Sequence, residues 1–373
     1  MKKMWIGGQA VDGDAGVAPL VSVNPASGEV NYEVAAAGAK AADMAVKVAD
    51  EAARDKKWRN MLPPARAAIL SRIADGMERR SEELARLQMI ENGKVWRECQ
   101  VQVKSAAATF RYYAAVCETT GSEVTPARGD YLSMSVYEPY GVVAAITPWN
   151  SPMTMEAQKV APALAAGNAV ILKPSEITPS TGLLLAEIAQ EAGLPAGILN
   201  VLPGTGQQVG AALVEHPRVR MVSFTGGTES GRRIAETAAR KLMPVALELG
   251  GKSPHIVFDD APVDAAVAAL AGGIFEGSGQ SCVAGSRAFV QRGVYDEVVA
   301  KLSAVARSLK VDLPDVAGAE MGPLATFAHR DKVASMVESA RAASADSVAD
   351  GARPDRRQLE KGTVYLRTLS GGK

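Results

Sequence analysis

The chain has 373 residues, of which 47% are hydrophobic and 22% charged, with 41 Lys+Arg against 41 Asp+Glu. That length allows about two or three domains with a large core, and the balanced charge gives no sign of nucleic acid or an anionic membrane as partner. Three scattered cysteines (Cys99, Cys117, Cys282) make no disulfide framework, and three histidines far apart (His216, His255, His329) make no metal site.

Met1 to Gly8 carries lysines and glycines but no apolar signal-peptide core, and no later run reaches membrane-spanning length. A cytoplasmic protein is expected. Residues 1–34 read as short strands and turns, with Asn24-Pro25-Ala26-Ser27-Gly28 a turn. Helical patterns follow over 43–53, over 66–92 behind Pro63-Pro64, and over 98–119. Leu132, Met134 and Val136 then alternate with Ser133, Ser135 and Tyr137, which predicts a half-exposed strand serving as an arm.

From residue 141 the chain alternates short apolar runs with helical ones. Strands are expected over 142–146, 169–172, 199–202 and 222–224. Helices are expected over 157–166, 179–192, 207–215 and 229–241. Continuous apolar strands joined by helices predict a parallel sheet covered on both faces, with ligands at the carboxyl ends of its strands. Further extended segments are expected over 245–249, 255–258 and 286–291, and helices over 264–272, 295–309 and 330–344. Residues 345–373 are polar and rich in Gly and Arg, apart from Val364-Tyr365-Leu366.

The residues at the strand ends bear on function. They are Thr147-Pro148-Trp149-Asn150, Lys173-Pro174-Ser175-Glu176, Pro203-Gly204-Thr205-Gly206 and Thr225-Gly226-Gly227-Thr228. Gly226 to Gly231 opens a helix whose amides and dipole suit a pyrophosphate, although it is not the G-x-G-x-x-G fingerprint. Four such edges on one sheet favour a dinucleotide site over plain strand-to-helix turns. Cys282 follows a glycine-rich turn, where backbone amides approach a small group closely. On its own such a cysteine is more often a small buried apolar residue than a nucleophile. Glu248 reads as a base or as a solvated acid, and Asn150 as an amide donor or as a helix N-cap. Lys173 reads as a ligand or as a strand-end charge. Phe110, Tyr113, Met153 and Met155 are candidates for an apolar substrate approach or for core.

Taken together, five motifs resemble the NAD(P)-dependent aldehyde dehydrogenase superfamily. They are Pro148-Trp149-Asn150, Lys173-Pro174-Ser175-Glu176, Phe224-Thr225-Gly226-Gly227-Thr228, the run Leu247 to Pro254, and Gly279-Gln280-Ser281-Cys282. They fall in the family's order and cover about residues 20–343. The resemblance implies an α/β fold with a Rossmann-type cofactor domain over 1–118 and 140–248. It also implies a bridging, oligomerising hairpin over 119–139 and a catalytic domain over 249–373. It makes Cys282 the nucleophile, Glu248 the base for hydrolytic water, and Asn150 an oxyanion donor with the backbone N–H of Cys282. NAD would be held by Ile146, Thr147, Pro148, Trp149, Lys173, Ser175, Glu176, Gly206, Phe224, Thr225, Gly226, Gly227, Ser230, Leu249 and Gly250. Gly227 stands where relatives more often carry serine. The carboxylate of Glu176 suits ribose hydroxyls and repels a 2′-phosphate, so NAD is expected in preference to NADP.

The implied reaction oxidises a small-molecule aldehyde to an acid in a homodimer or homotetramer. Glu248 disfavours the CoA-acylating branch, which needs no hydrolytic base. The sequence holds no Glu-x-Phe-Gly-Pro segment and none of the family's later catalytic loop or final strand. The expectation is therefore a C-terminally truncated member with an incomplete catalytic domain and weakened assembly. The alternative is an impaired relative that keeps NAD binding or subunit association.

Overall fold

The computed structural model describes residues 1–343, 346–350, 361–365 and 368–371. Strands β1 (Met4–Ile6), β2 (Gln9–Val11), β3 (Leu20–Val23) and β4 (Val30–Val34) come first. Helices α1 (Ala39–Arg54), α2 (Lys56–Arg59), α3 (Pro63–Arg79), α4 (Ser81–Asn92) and α5 (Trp96–Thr119) follow. The alternating section runs β5 (Val142–Ile146), α6 (Pro152–Ala165), β6 (Ala169–Lys173), α7 (Ser180–Glu191) and β7 (Leu199–Val201). It continues through a π-turn (Gly206–Gly210), α8 (Ala211–Glu215), β8 (Val219–Gly226), α9 (Thr228–Arg240) and β9 (Val245–Leu249). Then come β10 (Pro254–Val257), α10 (Val263–Phe275), a 3-10 turn (Glu276–Gly279), β11 (Arg287–Val290), α11 (Arg292–Ser308), α12 (Phe327–Ala342), β12 (Asp346–Asp350) and β13 (Thr368–Gly371).

The chain forms two compact units. The first comprises Met1–Val21, Tyr32–Leu84 and Gln100–Glu248. Its seven-stranded sheet has the order β2-β1-β7-β6-β5-β8-β9. Strand β5 pairs in parallel with β6 and β8, and β6 with β7, while β1 runs antiparallel to β7. All five residues of β5 and of β6 are buried, as expected for strands covered on both faces. Helix α1 packs with α8, and α3 packs with α6 and α7. Along β7-β6-β5-β8 the chain order is third, second, first, fourth, so the winding reverses between β5 and β8. Ligands bind outside the carboxyl ends of such strands at the reversal.

The second unit comprises Ser22–Asn31, Ala85–Cys99 and Leu249–Lys373. Two segments expected with the cofactor domain, Ser22–Asn31 and Ala85–Cys99, thus group here. Asn31 donates to the Ile90 carbonyl at 2.9 Å and to the Ser22 hydroxyl at 3.2 Å, which ties these segments together. The Trp96 N–H donates to the Pro314 carbonyl, and Thr363 Oγ1 donates to the Pro25 carbonyl. Strands β10 and β11 form a two-stranded parallel pair. One apolar cluster joins Val257, Val267, Leu270 and Val298, and another joins Phe275, Ala306 and Met321. Ile256, Phe258 and Phe289 stay exposed.

Several expected elements change. The single helix expected over 66–92 is two, α3 and α4, broken at Arg80 (φ −102°, ψ 24°). There the Arg80 guanidinium is held by Glu83, Glu187 and Glu191. Helix α6 starts at Pro152 rather than near 157, because proline's fixed φ suits the first helical position. The strand expected over 132–136 shortens to an antiparallel Val124–Met134 bridge, where the Thr125 N–H donates to the Ser133 carbonyl and the Ser135 N–H to the Glu123 carbonyl, each at 2.9 Å, and Leu132, Met134 and Val136 are all exposed. Without a face to bury, alternation alone does not make a strand. Residues 346–350 and 368–371, in the polar Gly- and Arg-rich segment, pair as antiparallel strands. Ser344, the expected end of α12, and Leu366 of the apolar patch lie outside the described residues. No helix among the described residues is long and apolar enough to cross a membrane, and no metal-binding cluster occurs among them.

Candidate active site

In the first unit, the reversal between β5 and β8 gathers most of the expected cofactor residues. Register places Ile146 opposite both Lys173 and Phe224. The Thr147 N–H donates to the Lys173 carbonyl at 3.1 Å. The hydroxyls of Thr147 and Thr225, at the ends of the two reversal strands, are buried and find no partner among the described residues. Buried polar atoms call for a partner, and hydroxyls at strand ends are groups that can donate to or accept from a ligand. A side chain at Gly226 would meet the Phe224 ring at 2.5 Å, so the ring covers that glycine. Gly206 and Gly227 face open space. Gly227 is the N-cap of α9, with Ser230 exposed in its first turn. Orphaned hydroxyls, open glycines and a helix start together fit the phosphates and ribose of a dinucleotide.

Lys173 is 3% exposed, not a solvated strand-end charge. Its ammonium donates to the Glu176 carboxylate at 3.2 Å and to the Pro174 carbonyl at 3.0 Å. Burial pushes its pKa below the usual lysine value, and the Glu176 charge pulls it back. Ser175 is buried beside it, and its hydroxyl accepts from the Ile177 N–H. Pro148, Trp149 and Asn150 are half-buried in the loop leaving β5. The N-cap of α6 is Ser151, one residue after Asn150.

Glu248 is exposed on β9, with Leu247 and Leu249 half-buried. The leucines flank it in sequence, but strand alternation turns them to the other face. They do not form an apolar pocket around the carboxylate. The charge that Glu248 does influence is Lys159, which the sequence reading passed over. Lys159 is buried on α6, and its Nζ donates to Ser223 Oγ at 3.1 Å. Burial lowers its pKa to about 8, while Glu248 acts in the opposite direction. The available signal was a single lysine inside the apolar run 157–166. Of the candidates for an apolar approach, Phe110 and Met153 are fully buried and belong to the core.

In the second unit, Cys282 sits in the turn after α10. It is exposed, whereas Cys99 and Cys117 are buried. Burial pushes the Cys99 thiol up to about 12, which makes it inert. Three residues before Cys282 adopt left-handed backbone in succession: Gly277 (φ 62°), Ser278 (φ 57°) and Gly279 (φ 72°). For Ser278 this is costly and persists only when surroundings enforce it. Its hydroxyl donates to the Gly322 carbonyl at 3.0 Å and accepts the Gly322 N–H at 3.2 Å. The Gly277 N–H donates to Glu98 at 2.9 Å, and Gln280 accepts the Ala325 N–H at 2.9 Å. The Cys282 carbonyl oxygen stands 3.2 Å from the place of a Gly251 Cβ, so the backbone there leaves little room for a side chain. Gly250, just after Leu249, faces open space.

The model of the aldehyde dehydrogenase family matches residues 11–370. The chain is 39% identical over 356 residues to a (Z)-2-((N-methylformamido)methylene)-5-hydroxybutyrolactone dehydrogenase of Acinetobacter baylyi, covering 94% of this chain and 72% of that protein. It is 41% identical over 356 residues to a phenylacetaldehyde dehydrogenase of Pseudomonas fluorescens, covering 94% and 71%. Among solved structures, PnpE in complex with nicotinamide adenine dinucleotide superposes with a TM-score of 0.96 at 38% identity, over 99% of this chain and 75% of that one. On family match, identity and fold alike, the chain belongs to the aldehyde dehydrogenase family.

Proposed function

We propose that this chain oxidises an aldehyde to a carboxylic acid with NAD, through a thioester on Cys282. The observation that carries the reading is that, in a family member, the one exposed thiol of three is held at the end of an enforced glycine turn. A thiolate attacks the aldehyde carbon. The Asn150 amide donates to the oxygen that gains negative charge, a contact whose loss typically costs about a hundredfold or more in rate. NAD, held at the strand ends of the first unit, would supply the hydride acceptor that takes the chain to the thioester. Glu248 then draws a proton from the water that hydrolyses the thioester.

The strand-end residues of the first unit would hold NAD, with Thr147 and Thr225 offering hydroxyls and Gly226 and Gly227 the phosphate approach. The Glu176 carboxylate, paired with Lys173, favours ribose hydroxyls over a 2′-phosphate. The second unit would supply the thiol. The exposed Tyr131, Leu132, Met134, Val136 and Tyr137 support self-association through the 119–139 segment. Three free thiols fit a reducing compartment.

The test is NADH formation by the purified chain over a panel of aldehydes, with NAD and NADP in parallel and Cys282→Ala as control. Turnover that needs Cys282 and prefers NAD is expected. NAD binding without any Cys282-dependent NADH selects the impaired-relative reading. A clear NADP preference rejects the role given to Glu176.

A further inference from the structure

Helix α5 carries Glu98 in its first turn, where the helix dipole favours a negative side chain. An acid serving only that helix would turn to the helix's own amides. Glu98 instead accepts, through Oε1, from the Gly277 N–H at 2.9 Å. Its Oε2 lies 4.0 Å from the Lys94 ammonium, and the two side chains are 16% and 9% exposed. That ammonium stands 3.0 Å from the place of a Gly277 Cβ, so it fills the space a side chain there would need. The backbone of Lys94 is itself held. Its N–H donates to Asn92 Oδ1 at 3.0 Å, and its carbonyl accepts from the buried Cys99 thiol at 3.4 Å. Gly93, left-handed at φ 75°, brings its carbonyl against Gly322, where a Cβ would meet that oxygen at 2.1 Å. Gly322 is the partner of Ser278.

Two routes thus lead from the 92–98 segment to the left-handed turn before Cys282, both within the second unit. One is direct, through Glu98 and Lys94 to Gly277. The other passes through Gly93 and Gly322 to Ser278. Successive left-handed residues keep their shape only under outside restraint, and a hydrogen bond to a charged acceptor is a strong one. Removing Lys94 would leave the Glu98 carboxylate, largely withdrawn from water, without its counter-charge. Resting on the reading of Cys282 as nucleophile, we propose that Glu98 and Lys94 are positioning residues for it. Glu98 fixes the entry of the turn through the Gly277 N–H, and Lys94 holds Glu98 to that amide. They act through the turn, setting the direction from which the thiol meets the aldehyde.

The experiment measures kcat and KM of the purified chain with NAD and an aldehyde that it oxidises, beside iodoacetamide labelling of each cysteine read by mass spectrometry. A reagent from bulk solution needs only an exposed thiol, whereas turnover needs the thiol in one orientation. Glu98→Leu is expected to lower kcat by about tenfold or more, the worth of a hydrogen bond to a charged group, with both KM values unchanged. Cys282 should still label at the parent rate, with Cys99 and Cys117 protected. Glu98→Gln, which keeps an acceptor for Gly277, is expected to restore kcat to within about threefold of the parent. Lys94→Met should lower kcat in the parent chain but add nothing to Glu98→Leu, because it acts through Glu98. An unchanged kcat in Glu98→Leu, or a loss that comes only with labelling of Cys99 and Cys117, overturns the proposal. Additive losses overturn the part given to Lys94. If the parent gives no Cys282-dependent NADH, the catalytic reading fails, and hydrogen exchange then decides the anchoring separately. About tenfold faster exchange over residues 277–282 is expected in Glu98→Leu, and unchanged exchange contradicts it.

Discussion

The strand ends of the first unit and the thiol turn of the second hold their functional groups in opposite ways. At the strand ends, β5 and β6 are buried along their whole length, and the sheet register fixes Ile146, Lys173 and Phe224 beside one another. Specific polar groups are left over there, the hydroxyls of Thr147 and Thr225. At the thiol turn no sheet does this work. Three left-handed residues, pinned by Ser278 to Gly322 and by Gln280 to Ala325, present Cys282 to solvent. A buried sheet makes a fixed cradle for a large ligand. A strained turn exposes one small reactive atom, and side-chain hydrogen bonds offset its backbone cost.

The largest effect expected in the sheet region concerns Lys159. Its pKa in the folded chain, about 8, lies below the ordinary 10.5 because it is buried. Below about pH 8 the fold must bury a proton that the unfolded chain carries freely, so the destabilisation is fully present there. Between pH 8 and 10.5 the unfolded chain binds more protons than the folded one, and stability rises with pH. Relative to Lys159→Met, the parent chain is expected to gain on the order of 3 kcal/mol across that window. Denaturant unfolding of both chains at several pH values measures this, and parallel pH profiles would contradict it.

Gly226→Ala tests the cradle next. The new methyl would meet the Phe224 ring at 2.5 Å. Overpacking of this kind costs about 1–3 kcal/mol. A lower melting temperature and weaker NAD binding by titration are expected, whereas Gly227→Ala, which faces open space, should leave the melting temperature in place. The smallest effect belongs to the second unit. Thr326 caps α12 by accepting the His329 N–H at 3.1 Å. Thr326→Ala is expected to cost about 1 kcal/mol. Hydrogen exchange should show the loss in α12 and leave β5 and β6 protected.

What the sequence disclosed follows the same contrast. The runs 142–146 and 169–172 announced buried parallel strands, because an unbroken apolar segment bounded by turn residues has few other uses. The motifs at their ends pointed to the cofactor region for the same reason. Lys159 was not legible, since a lysine in an alanine-rich helix looks like a solvated face until the sheet buries it. The break at Arg80 carries no glycine or proline to signal it. The exposure of Glu248 between two half-buried leucines was not legible either, because neighbours in a strand's sequence lie on its opposite face.

The central claim is a thioester on Cys282 that Glu248 helps to hydrolyse. Rapid mixing of the Glu248→Gln chain with NAD and an aldehyde that the parent chain oxidises tests it most directly, with mass spectrometry of the quenched protein. The account predicts a burst of about one NADH per chain, then a stall, with the acyl group recovered on Cys282. Steady turnover without a burst or adduct, or no NADH at all while the parent chain turns over, would contradict it.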